Sequence, residues 1–241
     1  MVQQSLMNDP RLRDFGVLAI SEPYSWTTGN EVITIPMGRA NWTKMIPTVQ
    51  RRERWAVRSM LWIRKDIEVE QVPVPSSDLT AAVLRLPDRS ILVVSVYVEG
   101  QDAEALRDTT RKLHHLIQES QNKIGTRVDV ILAGDFNRHD QLWGGDEIVQ
   151  ERQGEAEPII DLMSDHALQS LLPRGTKTWQ KGNCETTIDL ILVSEGLATS
   201  MVKCTVHTTE HGSDHRAIET TFNIATPERV IEARLLFKNA P

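Results

Sequence analysis

Four short segments of this chain gather acidic and amide side chains where apolar runs stop or start: Ser21-Glu22-Pro23, Gly134-Asp135-Phe136-Asn137, Thr187-Ile188-Asp189 and Gly212-Ser213-Asp214-His215. Taken singly, a carboxylate at a strand end is a turn residue or a helix cap. Taken together, they read as parts of one site. Breaking a phosphodiester requires stabilising charge on the phosphoryl oxygens and activating a water, and a hard divalent ion held by carboxylates does both. Magnesium keeps several waters and takes only one or two protein carboxylates, so Glu22 with Asp214 suffices. A carboxylate next to an imidazole orients it and supports its cation, the role read for Asp189 acting on His215. Asp135 is then placed to orient or deprotonate the attacking water. Asn137, with a neutral donor and acceptor, would bind a nonbridging phosphate oxygen or hold that water.

These residues need elements that deliver them to one edge. Leu6 to Asp14 reads as the end of a helix, and Phe15 to Ile20 as a buried strand that ends just before Glu22. Residues 24 to 50, with Gly29, Asn30, Pro36, Gly38 and Pro47, read as a long irregular loop. Strands are expected at 55 to 63, 67 to 73, 79 to 86 and 90 to 98, the last pair joined by the turn Pro87-Asp88-Arg89. Ala103 to Lys123 repeats apolar residues near helical period and stops at Gly125. Val128 to Ala133 is a continuous apolar run, the mark of a strand buried on both faces, and it hands Asp135 to its end. A second helix is expected over Glu157 to Asp165, with strands at 186 to 193, 201 to 207 and 217 to 224. Helices mixed with hairpins suit two packed mixed β-sheets flanked by helices, an α/β sandwich, better than a doubly wound parallel sheet.

Composition narrows the function classes. The chain has 241 residues, 40% hydrophobic and 25% charged, enough for one large core, with no repeat or low-complexity segment. We read one domain over residues 1–226 and a tail over 227–241. A net charge of -6 argues against gripping nucleic acid by bulk electrostatics, so any contact with DNA is local. Arg51, Arg52, Arg54, Arg58, Arg64 and Lys65 form the densest basic stretch, and a solvated face is the plainer reading of it. The first 15 residues hold no secretory apolar run, and the most apolar stretch, Ile91 to Val98, is far below the roughly 20 residues that cross a bilayer. We expect an intracellular protein, in nucleus or cytoplasm, with no membrane partner. Cys184 and Cys204 have no metal-type spacing and read as reduced thiols.

The Gly-Asp-Phe-Asn of 134–137, the Ile-Asp-Leu-Ile-Leu of 188–192, the Ser-Asp-His of 213–215 and the strand-end Glu22 resemble the ordered signature of the endonuclease/exonuclease/phosphatase superfamily. Within it, Asp9 to Asp14, Trp55 to Lys65, Gly134 to Gly144 and His211 to Arg216 are similar to the apurinic-type endonuclease domains of fungal non-LTR (LINE-like) retrotransposons. The resemblance covers nearly the whole chain. It implies a four-layer, DNase I-like sandwich and a magnesium ion, with manganese as the alternative, bound by Glu22. It also implies a phosphate site made by Tyr97, Asp135, Asn137 and His215, and nicking of target DNA beside a reverse-transcriptase domain. Against the phosphate contact of Tyr97 stands an aromatic that merely packs at a strand end.

The pattern departs from that family in two places. Family members begin with a strand carrying a metal-binding Asn, whereas this sequence starts inside the following helix, so unpaired strand edges or exposed apolar surface are expected. After Tyr97, Val98-Glu-Gly100 stands where Pro-Asn is usual. The alternatives carried forward are a catalytically inactive remnant that at most binds nucleic acid, and a small-molecule phosphatase or phosphodiesterase. His139 and Trp143 are weighed as substrate contacts against a cap and a packed indole. His114 and His115 read as surface residues, and His166, His207 and His211 receive no role.

Overall fold

The computed structural model of the chain describes residues 2–29, 31–35, 41–51, 55–124, 128–152 and 154–227. Helix α1 (Val2–Asn8) ends at Asp9-Pro10, and a separate 3-10 turn follows over Pro10–Asp14. The expected continuous helix therefore breaks in two. Proline has no N–H to carry the helix on, and the Asp9 carboxylate caps the new turn at Arg11 N, 2.8 Å away. Met7 and Leu12 pack on Trp42, Met60 and Trp62.

Strand β1 (Val17–Ser21) starts two residues later than the sequence suggests. The expected loop over 24 to 50 is corrected: β2 (Tyr24–Thr28) and β3 (Glu31–Ile35) form a hairpin, and β4 (Trp42–Met45) is a sheet strand. For the hairpin the reason is local. Gly29 takes the left-handed φ of 63° at the hairpin tip, while the Thr, Ile, Val and Trp around it are strand formers. β5 (Ser59–Arg64) lies between β1 and β4, antiparallel to both.

Next come β6 (Glu68–Val72), β7 (Leu79–Arg85), β8 (Ser90–Tyr97), the long helix α2 (Ala103–Ile124) and β9 (Val128–Asp135). The short α3 (Gln141–Gly144), α4 (Glu157–Asp165), β10 (Leu168–Ser170), β11 (Trp179–Lys181), β12 (Cys184–Thr186) and β13 (Asp189–Ser194) follow. The described chain closes with α5 (Glu195–Ala198), β14 (Met201–Val206) and β15 (Ile218–Phe222). The expected stop at Gly125, Arg52 and Arg54 of the basic stretch, and nearly all of the expected tail lie outside the described residues.

The large sheet runs β10-β13-β9-β8-β7-β6, antiparallel except for β8 and β9, which are parallel and joined by α2. Its alternating side chains build two cores. Val83, Leu92, Val94 and Leu132 face Leu113 and Ile117 of α2 and Ile159 of α4, whereas Leu84, Ile91 and Val193 face Leu61 and Ile63 of β5. The layers are thus helices, large sheet, second sheet and the N-terminal helical pieces, the sandwich expected. One detail differs: the second sheet layer is two separate antiparallel pieces, β1-β5-β4 and β14-β15, where a mixed sheet was anticipated.

Among the described residues β1 and β15 each pair on one side only. Between them and the large sheet lies a cavity of about 1770 Å³, lined by Val17, Ala19, Ile131, Ala133, Ile218 and Phe222, all of which stay only partly buried. Unpaired edges and accessible apolar surface are present, as expected. Cys184 and Cys204 are free. No helix of the described residues is long and apolar enough to cross a membrane.

Candidate active site

The sheet register makes the first part of the site. Tyr97 of β8 pairs with Asp135 of β9, and Asp135 pairs with Asp189 of β13, so three side chains from distant parts of the sequence share one row. Gly134 makes the close approach possible. Its φ is 150°, and a Cβ there would lie 2.0 Å from the Val96 carbonyl oxygen.

Two serine hydroxyls join β1 to this row. Ser95 Oγ donates to Ile20 O at 3.3 Å, and Ser21 Oγ donates to Val96 O and accepts from Asp135 N, both at 3.2 Å. Glu22, next in sequence, is thereby set beside Tyr97. Burial first, and then the Glu22 charge, push the Tyr97 phenol well above its usual range, and the hydroxyl stays protonated and bonded to Glu22.

Asp189 is fixed from behind by buried Thr178, whose hydroxyl accepts from Ile188 N and Asp189 N at 3.1 Å each. His215 arrives on a segment pinned alongside β11, with Gln180 N bonded to Asp214 O at 2.8 Å and Arg216 N to Thr178 O at 2.7 Å. Its Nδ1 is 3.0 Å from both Asp189 carboxylate oxygens, and its Nε2 is 3.9 Å from Asp135 Oδ2. Burial alone would hold the imidazole neutral. The hydrogen bond and charge of Asp189, backed by Asp135, outweigh it and raise His215 to about 9. Asp135, only 2% exposed, is pushed up to about 8 by burial and by Asp189.

Asn137 adopts φ 50° and folds back onto Asp135: its backbone N–H donates to Oδ1 at 2.9 Å, and its Nδ2 donates to Oδ2 at 2.8 Å and to Val98 O at 3.0 Å. Both amide hydrogens are therefore committed. In this arrangement Asn137 positions Asp135 through its Nδ2, which leaves its side-chain oxygen as the group for the expected hold on a water.

Glu22 and Asp214 are exposed and line the same cleft as Asp135, Asp189 and His215. Asp214 Oδ2 accepts from Trp179 Nε1 at 3.3 Å. Among the described residues, the groups of three or more side chains close enough to share one ion are Asp135 with Asp189 and His215, and Asp9 with His207 and His211.

Several residues that shape the site were not singled out by sequence. Arg58, 6% exposed, stacks on Tyr97 with its guanidinium carbon 4.4 Å from the ring centre. It bonds both Asp78 oxygens at 2.9 Å and Glu99 Oε2 at 2.9 Å, so Glu99 is neutralised beside the site. Arg51 joins Asp78 at 3.2 Å, and Arg64 pairs with Asp66. Of the four described residues of the basic stretch, Arg58 and Arg64 are turned into internal pairs, whereas Arg51, though paired with Asp78, and Lys65 are exposed, so the solvated face expected is present in part. A run of arginines carries no signal of which one is buried, because that depends on Asp78 and Glu99 far along the chain. Arg138, 4% exposed, ties the 98–102 loop to Asn137 by donating to Glu99 O at 3.2 Å and Asp102 O at 2.5 Å. His139 bonds Glu155 at 2.7 Å. Trp143 is 1% exposed and donates to Arg138 O at 3.1 Å, so it packs under the loop. His114 is half-buried and bonded to His166 at 3.0 Å, not a plain surface residue, whereas His115 is exposed.

A sandwich of this kind, with a carboxylate–imidazole cluster at the strand ends, defines a member of the DNase I-like class of nucleases and phosphatases. More narrowly, residues 91–219, over half of the chain, match the family described as endonuclease-reverse transcriptase, and the chain belongs to that family. The endonuclease domain of TRAS1, a telomere-specific non-LTR retrotransposon, superposes with a TM-score of 0.70 at 17% identity, covering 92% of this chain and 93% of that one. The AP endonuclease LMAP from Leishmania major gives a TM-score of 0.67 at 13% identity over 91% and 84% of the two chains. An endonuclease/exonuclease/phosphatase family protein from Leptotrichia buccalis gives 0.61 at 14% identity over 92% and 93%. At these identities the likeness is one of fold. No curated protein matches the sequence.

Proposed function

We propose that this chain is a metal-dependent DNA endonuclease that nicks target DNA for a reverse transcriptase. The observation that carries the reading is the Asp135–His215–Asp189 cluster: an imidazole held at Nδ1 by one carboxylate turns its Nε2 toward a second, buried one. Glu22 and Asp214, exposed oxygen donors at the same cleft, suit a magnesium or manganese ion that keeps most of its waters. Bound there, the ion would neutralise charge on the phosphoryl oxygens.

The chain's own groups do the rest. His215, cationic near neutrality, is set to stabilise the negative oxygens of the phosphoryl group. Asp135, raised to about 8, is a base matched to accept a proton from water near neutral pH, and Asn137 keeps it in one orientation. Tyr97, protonated and braced by Arg58, donates to Glu22 and so positions that carboxylate at the row's other end.

Nicking of supercoiled plasmid in magnesium and in EDTA, with Asp135→Ala and His215→Ala as controls, tests this reading. Magnesium-dependent nicking lost in both variants is expected. The cavity between β1 and β15, which runs from the cleft into the apolar layer, favours a second reading: a remnant that folds without turnover. Absence of nicking by a folded, soluble chain would establish that one.

A further inference from the structure

A second cluster, independent of the active site, joins the two ends of the sequence. His207 and His211 leave β14 four residues apart, and Asp9 caps the 3-10 turn that follows α1. Asp9 Oδ2 lies 3.1 Å from His207 Nε2 and 3.8 Å from His211 Nε2, and the three ligand atoms all fall within 4.8 Å of one another. Tetrahedral zinc, with bonds of about 2.0–2.1 Å, sets its ligands about 3.3–3.4 Å apart, between the two distances found.

Each of the three is oriented from behind, as metal ligands are. His207 Nδ1 meets Glu219 Oε2 at 2.7 Å, His211 Nδ1 meets Ser5 Oγ at 3.1 Å, and Arg11 N donates to Asp9 Oδ1 at 2.8 Å. That leaves two imidazole Nε2 atoms and one carboxylate oxygen converging. An Asp9–His207 ion pair would account for one of the two imidazoles. It does not account for His211, whose side chain is 6% exposed and whose Nε2 is buried without a hydrogen-bond partner among the described residues. Buried polar atoms are almost always satisfied, so this orphan facing a carboxylate asks for a ligand. All three residues also line the cavity, which gives an ion its way in and room for a water.

We propose that Asp9, His207 and His211 bind one zinc-type transition-metal ion, with a water as fourth ligand, that fastens the N-terminal turn to the loop leading into Asp214 and His215. Two nitrogens and one oxygen favour such an ion over magnesium, which prefers oxygen throughout. The site is structural, and it stands whether or not the chain cuts DNA.

Cobalt(II) added to the chelator-stripped full chain is the probe, since a tetrahedral site gives it a visible absorption band. One equivalent is expected to develop the band, zinc to displace it, and an Asp189→Asn/His215→Ala double variant to keep it, which separates this site from the active-site cluster. His211→Gln should abolish the band, and Glu219→Gln should weaken zinc binding about 10- to 100-fold. His211→Cys should retain the ion and add a thiolate-to-cobalt band, which distinguishes ligation from loss of fold. A folded chain with no band, or a band that survives His211→Gln, overturns the proposal.

Discussion

Asp135 and Asp189 are register partners across β9 and β13, and His215 bridges them, with Nδ1 3.0 Å from the oxygens of one and Nε2 3.9 Å from an oxygen of the other. Burial of Asp135, and after it the Asp189 carboxylate alongside, oppose its ionisation and raise it to about 8. A cation between them relieves that conflict. The protonation of Asp135 and that of His215 are therefore set jointly.

Removing the Asp189 charge should release His215. In Asp189→Asn we expect the His215 titration, followed by NMR of the imidazole, to move down from about 9, and plasmid nicking to fall by about 10²- to 10⁴-fold. An unshifted His215 would show that Asp189 does not support the cation.

Gly134→Ala should destabilise the fold rather than the chemistry alone. Its Cβ would meet the Val96 backbone oxygen at 2.0 Å, and the φ of 150° suits only glycine. A loss of about 2–4 kcal/mol in urea unfolding is expected, from strain and overpacking together. A stability within 0.5 kcal/mol of the parent, roughly the spread of neutral surface changes, would mean that β8 and β9 are spaced more widely than found.

Arg58→Met keeps the bulk over Tyr97 while leaving Asp78 without its main partner. Breaking a largely buried pair costs about 3–5 kcal/mol, the lower end applying here because Arg51 still reaches Asp78. Calorimetric melting of the variant measures it, and an unchanged melting temperature would refute the pairing.

Acid should erase part of that contribution. Burial would raise Asp78, but the hydrogen bond and charge of Arg58 outweigh it and hold the carboxyl below its ordinary value. A depressed folded-state pKa gives stability that is full above the unfolded value, about 3.9, and is lost as pH falls through the lower folded value. The melting-temperature gap between the parent and Asp78→Asn should thus be constant from pH 7 to 5 and close below about pH 4. A gap that persists undiminished at pH 2.5, about a unit and a half under the free value, would contradict the depression.

Much of the site was legible because its residues sit at the ends of strands whose apolar runs are local. Val128 to Ala133 announces itself as a buried strand that delivers Asp135 to its end, and Asp189 and His215 occur in short segments beside such runs. The helix over Glu157–Asp165 was readable in the same way. Residues 24 to 50 were misread because glycine and proline outweighed the strand formers between them, and the partner that makes Trp42–Met45 a strand, β5, lies over ten residues on.

The sequence by itself determined the strands from β5 to β9 and from β13 to β15, the helices α2 and α4, and which carboxylates end which strands, since these follow from near-neighbour side chains and backbone preferences. Tertiary structure alone decided that Arg58 is buried on Tyr97, that both Asn137 amide hydrogens are spent on Asp135 and Val98, and that His207 and His211 meet Asp9. Each of these depends on a partner brought up by sheet register or layer packing, and a side chain's chemistry is set by what desolvates and bonds it, which for Asp9 and His207 lies 198 residues away.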